Sequence, residues 1–234
     1  MTLNSKDVEG SAAVVLLSGG LDSSVLLHHV AQELRWDPIH TLSVDYGQRH
    51  RRELEAARWQ SEAAGAVRHH VLELGFVAAL VQDGTSLVSG GAEVPDLAAL
   101  TEDELDQPPT YVPNRNMMLL SAAAAYAEAQ GMRAVFYGAQ AQDDYGYWDC
   151  TAEFVERLNG VFELNRRDAV TIHAPFTGTK KAELVSMGER LGVDFAHTWS
   201  CYRGGGVACG TCPTCVERLK AFGAAGSTDP LSYG

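Results

Sequence analysis

Val14-Val15-Leu16-Leu17-Ser18-Gly19-Gly20-Leu21-Asp22-Ser23-Ser24 is the stretch whose reading decides the fold. Four apolar residues in a row signal a buried strand. Ser-Gly-Gly allows a tight turn whose backbone approaches a ligand, and Ser23-Ser24 open an apolar helix running toward Leu34. In such a strand-loop-helix unit the backbone N–H groups of the loop and first helical turn point at an anion, aided by the positive end of the helix dipole. Ser18, Ser23 and Ser24 add hydroxyl donors. Asp22 is out of place beside phosphate alone, but it fits where magnesium rides on the phosphates, because a carboxylate is a hard oxygen ligand. The plain alternative is an ordinary glycine turn. No Gly-Lys-Ser/Thr follows, which excludes a Walker loop, and Gly-x-Gly-x-x-Gly is missing, which excludes a dinucleotide fingerprint.

Working outward, 39–44 reads as a second strand, followed by Asp45-Tyr46-Gly47-Gln48-Arg49-His50, a helix to about residue 64 and a third strand over 67–72. This alternation predicts a doubly wound, mainly parallel α/β sheet whose ligands lie outside the carboxyl ends of its strands. Residues 75–107 carry short apolar pieces and an acidic run, and are expected to form an excursion over the active-site face. Thr110-Tyr111-Val112-Pro113-Asn114-Arg115-Asn116 leads into an alanine-rich helix to about Ala129, with Asn114 or Asn116 available as a cap. A fourth strand, 134–137, delivers a segment rich in acids and aromatics. A helix over 151–164, a strand over 170–174 and a helix over 180–191 complete the sheet, and 223–234 is expected to be a flexible tail.

At 234 residues, 46% hydrophobic and 21% charged, the chain reads as one soluble globular domain with a small appendage. No apolar run approaches a membrane span and 1–10 carries no signal-peptide pattern, so a cytoplasmic protein without a membrane partner is expected. The net charge of −12 disfavours nucleic acid as substrate and favours a small molecule.

Four of the five cysteines fall at Cys201-x7-Cys209-x2-Cys212-x2-Cys215. That spacing suits a closed tetrahedral metal site in a reducing compartment more than disulfides, with zinc the first choice and an iron–sulfur cluster its main competitor. Cys150 stands apart, as a thiol of the site or a small packed residue.

The opening loop resembles the SGGxDS loop of the ATP pyrophosphatases, the PP-loop enzymes, which use ATP to adenylate a carbonyl or carboxyl oxygen and release pyrophosphate. Several further stretches resemble the 7-cyano-7-deazaguanine synthase family of PP-loop enzymes. They are Asp45 to His50, Val112-Pro113 with Arg115-Asn116, Gly146-Tyr147 with Asp149-Cys150, Glu153-Phe154, His173-Ala174-Pro175, Lys181-Ala182-Glu183, and Thr198-Trp199-Ser200-Cys201-Tyr202 with the other three cysteines. They run in the family's order from Val14 to about Phe222.

The resemblance implies an adenine nucleotide alpha hydrolase-like, Rossmann-like domain over 12–195 and a four-cysteine zinc-binding segment over 196–222, with flexible ends at 1–11 and 223–234. It also implies a ligase using ATP and Mg2+ on 7-carboxy-7-deazaguanine and ammonia, a homodimer, no nucleic acid, and a structural Zn2+ on Cys201, Cys209, Cys212 and Cys215. Ser18, Gly19, Gly20, Leu21, Asp22, Ser23, Ser24 and Asp45 would bind nucleotide and metal. Asp22, Arg115 and Lys181 would be catalytic, the last two contacting phosphate. Tyr46, Gln48, Arg49, His50, Tyr147 and Asp149 would line the substrate pocket. His28, His29, His40, His69, His70 and His197 sit in no matching motif and read as structural. The chain departs from the family's pattern at Asn114, which stands for a glycine, and at Tyr145, Trp148 and Thr151, which stand for serine, proline and arginine. Two alternatives stay open, the first motivated by those departures and the second by cysteines that could hold a cluster or carry sulfur, though the acidic balance argues against it. One is a paralogue that joins the carboxylate to another amine, such as a protein N-terminus; the other is a PP-loop tRNA-thiolating enzyme.

Overall fold

The computed structural model describes residues 11–141 and 147–234; the reading of Tyr145 falls outside them. Five strands, β1 (Ala13–Leu16), β2 (Ile39–Asp45), β3 (Arg68–Glu73), β4 (Ala134–Phe136) and β5 (Thr171–His173), form one sheet of order β3-β2-β1-β4-β5. Every pairing is parallel, with Val14 of the central strand opposite His40 on one side and Val135 on the other. The helices are α1 (Leu21–Gln32), α2 (Arg52–Ala63), α3 (Phe76–Val81), α4 (Glu102–Asp106), α5 (Arg115–Ala129), α6 (Ala152–Phe162), α7 (Lys181–Leu191) and α8 (Pro213–Ala225).

The unbroken apolar run of β1 is explained by burial on both faces. Successive side chains of a strand point to opposite sides. Val15 and Leu17 accordingly enter the core made with α1, α7 and α8, whereas Val14 enters the core made with α5 and α6. On α5 the buried apolar positions are Leu120, Ala123, Ala124 and Ala127, a stripe at helical spacing that suits packing on the sheet. Strand order reverses between β1 and β4, and at such a switch point the connections part to leave a crevice.

The excursion after β3 contains α3, α4 and short 3₁₀ turns. Arg49 secures it, donating from Nε to the Val88 carbonyl (3.1 Å) and from Nη2 to the carbonyls of Gly91 and Ala92. Glu104, in the acidic run, closes a capping box with Thr101. A third apolar cluster joins this excursion to the cysteine segment, with Val44, Val81, Val88, Trp199 and three of the cysteines among its members.

The C-terminus departs from the sequence expectation. Helix α8 continues to Ala225, and the chain then folds back, with Gly234 N donating to the Ala208 carbonyl (3.0 Å) and Asp229 paired to Arg218. A glycine- and serine-containing end reads as loose because its partner, a guanidinium on a preceding helix, leaves no local pattern. Among the described residues no helix is long and apolar enough to cross a membrane.

Burial lowers the pKa of His28, His40 and His69, and brings His173 down to about 4 from an ordinary 6.5. Between those two values the unfolded chain binds a proton at position 173 that the folded chain does not, so stability falls as pH drops from 6.5 to 4. The loss from this residue is at most about 3 kcal/mol. A melting series over that range should show the decline, and His173→Gln should flatten it; an equal slope in the variant would remove His173 as a cause.

Candidate functional site

The phosphate-type loop is tightly specified. Leu17 N donates to the Leu42 carbonyl (2.8 Å), Ser18 Oγ and Ser23 Oγ lie 3.0 Å apart, and Gly20 N donates to Ser18 Oγ (3.2 Å). Gly19 sits at φ +81°, and a Cβ there would lie 2.1 Å from the Glu53 carbonyl oxygen at the start of α2. On the other side Trp199 N donates to the Gly19 carbonyl at 2.9 Å. Helix α1 begins with Gly20 as N-cap and no side-chain cap, so its first-turn amides face the crevice without intrahelical partners. Gly19→Ala should destabilise the fold by more than the ~1–2 kcal/mol of a left-handed alanine, because the clash with α2 adds to it. A melting midpoint equal to that of the parent would show that the loop relaxes.

Beside the loop, Lys181 Nζ lies 3.5 Å from Asp22 Oδ2 and 3.3 Å from Glu217 Oε2. Burial raises the Asp22 pKa, and the neighbouring Lys181 opposes that shift. Asp22 Oδ1 is buried with no hydrogen-bond partner among the described residues. An orphaned carboxylate oxygen beside an amide cradle suits a hard divalent cation such as magnesium.

One cavity of about 450 Å³ joins this end to the tips of β2 and β4. Ser18, Asp22, Ser23 and Lys181 line one part; Tyr46, His50, Arg115, Tyr147 and Cys150 line another. Burial pushes the Tyr46 phenol up to about 12, keeping it neutral. For Arg115 burial opposes the charge, but Tyr46, Tyr202, Cys150 and Asp149 more than offset it, and the guanidinium stays protonated. Thr110 Oγ1 and Tyr147 OH are 2.8 Å apart, fixing the ring at the rim.

Other sequence candidates lie outside the cavity lining. Ser24 donates to the Gly20 carbonyl (2.7 Å), Gln48 bridges the Val44 carbonyl and Glu53, and Asp45 pairs with Arg51. Arg49 holds the excursion as described above. Asp149 accepts from Asn116 N (3.1 Å) at the start of α5, so the cap expected from Asn114 or Asn116 comes instead from 33 residues away. Asn114 takes the left-handed conformation (φ 54°) expected of a glycine replacement. Two departures have structural roles: Thr151 caps α6 by accepting from Phe154 N (3.1 Å), and the Trp148 indole donates to Tyr111 OH (2.9 Å). Cys150 is buried, accepts from Asn116 Nδ2 at 3.2 Å and lines the cavity, so it is both packed and part of the site.

Of the lining residues that the sequence does not single out, three are charged: Glu53, Glu217 and Arg218. The available signal was position, since Glu217 and Arg218 follow Cys215 closely and Glu53 follows His50 by one helical turn.

The four sulfurs of Cys201, Cys209, Cys212 and Cys215 all lie within 4.8 Å of one another. Backbone amides of Cys209 and Cys212 donate to the sulfurs of Cys201 and Cys209 at 3.4 and 3.3 Å, which favours thiolates. A tetrahedral ion with bonds of about 2.3 Å spaces its sulfurs by about 3.8 Å, and Cys209 Sγ is 4.0 Å from Cys215 Sγ. The set fits one metal ion.

A protein-family model described as queuosine biosynthesis protein QueC matches residues 12–226. A relative from Marinobacter nauticus named 7-cyano-7-deazaguanine synthase is 44% identical over 95% of this chain and 97% of its own length. Relatives of the same name from a Nostoc species and from Thermoplasma acidophilum are 40% and 42% identical, over 94% and 97% of this chain and 96% and 93% of their own lengths. Among solved structures, the U34-tRNA thiolase NcsA from Methanococcus maripaludis with its [4Fe-4S] cluster superposes with a TM-score of 0.52 at 14% identity. The match covers 86% of this chain and 65% of that one, just under two thirds of its length, and the likeness is one of fold.

Proposed function

The chain belongs to the queuosine biosynthesis protein QueC family, and from that premise we propose that it is an ATP-dependent ligase converting 7-carboxy-7-deazaguanine and ammonia to 7-cyano-7-deazaguanine. The observation that carries the reading is the single cavity that places Asp22, Lys181 and the α1 amides within reach of the same ligand space as Arg115, Tyr46 and Tyr147.

The chemistry asks for that arrangement. A carboxylate is a poor electrophile until one oxygen becomes a leaving group, and transfer to the α-phosphorus of ATP makes it one. Ammonia then displaces AMP to give the amide. A second adenylation, on the amide oxygen, followed by loss of AMP and a proton gives the nitrile. The α1 amides and Lys181 hold the phosphates and offset the charge that builds on them. Asp22 would carry magnesium, which when bound neutralises phosphate charge. Arg115 supplies a fixed cation for an anionic group. Asp149 contributes by holding the α5 N-terminus, and with it Arg115, in place. Tyr147 offers an aromatic face to the purine-like base. The four thiols would hold zinc in a closed structural site behind Trp199, whose N–H fixes the phosphate loop.

Incubation of the protein with 7-carboxy-7-deazaguanine, ATP, magnesium and ammonium, followed by mass spectrometry, tests this directly. The nitrile is expected as the released product. Accumulation of the amide alone, or release only on addition of another amine, would replace the reading with the amine-joining one. Among the described residues nothing favours that second reading, since Trp148 and Thr151 are accounted for by their structural roles.

A further inference from the structure

The family match ends at residue 226, yet the eight residues beyond it pair with Arg218, which lines the cavity. Asp229 is their centre. Its Oδ2 accepts from Arg218 Nε at 2.7 Å and its Oδ1 from Arg218 Nη2 at 3.0 Å, with both side chains at 2% exposure or less. Leu231 N (3.1 Å) and the Tyr233 hydroxyl donate to the same carboxylate. The remaining donors of Arg218 are also taken: Nη1 reaches Thr198 Oγ1 at 2.7 Å and Ser200 Oγ at 3.3 Å, and Nη2 reaches the Phe195 carbonyl at 3.1 Å. A guanidinium has five N–H donors in a fixed fork, and here every one is directed.

Thr198 and Ser200 flank Trp199, the residue whose N–H holds the Gly19 carbonyl. Hydrogen bonds, joined by the peptide links between residues 198 and 200, therefore connect the C-terminal segment through Arg218 to the phosphate loop. We propose that Asp229 is a positioning residue for nucleotide binding: it locks Arg218, which sets the 198–200 segment and through it the phosphate loop. Without the carboxylate, the buried guanidinium loses its hydrogen-bonded counter-charge. Arg218 lines the cavity together with Asp22, so a freed guanidinium is drawn toward the carboxylate that would carry magnesium. The inference rests on the loop being an ATP site, as proposed above.

The test is direct binding of MgATP by calorimetry to the full chain, with bound zinc per chain and the melting midpoint measured alongside. Binding to the parent protein tests the underlying reading: no ATP binding there defeats the ATP assignment itself. Given parental binding, Asp229→Asn should weaken MgATP by about tenfold or more with the zinc retained, and Asp229→Glu should restore most of it. A buried ion pair broken on one side is destabilising, whereas replacing both partners with apolar residues is often neutral. Arg218→Met combined with Asp229→Leu therefore keeps the fold while deleting the bonds to Thr198 and Ser200, and it should also weaken MgATP by about tenfold. Parental affinity in that folded double variant would overturn the inference, as would parental affinity in Asp229→Asn.

Discussion

Lys181→Met is expected to lower AMP formation by about 10²–10³-fold, the usual cost of removing one pre-positioned charge donor from a transition state. The ammonium is 10% exposed and lies within 3.5 Å of two carboxylates, Asp22 and Glu217. Two effects add when it is lost. The phosphates lose a cation, and Asp22, whose pKa burial already raises, loses the neighbour that opposes that rise. A protonated Asp22 is a poor magnesium ligand. The variant should therefore need more magnesium and a higher pH than the parent to reach its own maximum. Single-turnover AMP release over a magnesium and pH grid measures both. A variant within threefold of the parent at all magnesium concentrations would remove Lys181 from the chemistry.

Cys212→Ala should produce the second large effect. The residue is fully buried, and the four sulfurs fit a single tetrahedral ion, so three ligands would remain around a position built for four. Structural zinc couples to folding, with apparent binding energies of ~10–16 kcal/mol in zinc-finger peptides, against a typical total stability of about 5–15 kcal/mol for a domain. The consequence reaches the active site. Cys201 is two residues from Trp199, its carbonyl accepts from the Trp199 indole at 3.0 Å, and the Trp199 N–H holds Gly19. Loss of metal should therefore lower the melting midpoint by more than about 10 °C, as a loss of a few kcal/mol would in a chain of this size, and abolish ATP binding. Metal per chain, melting and calorimetry check this together. A variant that retains ATP binding after losing its metal would show that the cysteine segment is independent of the site.

Elements whose signals are local were legible in the sequence. The run Val14 to Ser24 gave strand, turn and helix because both faces of β1 are covered and glycine is required at Gly19; the parallel sheet followed from the spacing of strands and helices. The four cysteines were legible as a ligand set by their spacing. Partners set by tertiary contact were not. Asp149 follows a strand end beside aromatics, which suggests a base-recognising carboxylate, and no local pattern foretells that its Oδ2 accepts from Asn116 N at the start of α5. Gln48 and Arg49 share a motif with Tyr46 and His50, and only the last two face the cavity, because the chain reverses at Gly47 and sends the others into the framework. Asp229 sat in a segment whose composition suggested a loose end, and its role depends on an arginine buried eleven residues earlier.

Activation of the carboxyl oxygen as an adenylate is the centre of the account, and isotope transfer tests it most directly. With 7-carboxy-7-deazaguanine labelled by 18O in both carboxyl oxygens, one labelled oxygen should leave with each activation. The account predicts two AMP per nitrile, each carrying one 18O, and unlabelled pyrophosphate. Label in inorganic phosphate, or AMP without label, would contradict adenylation and with it the role assigned to the phosphate loop.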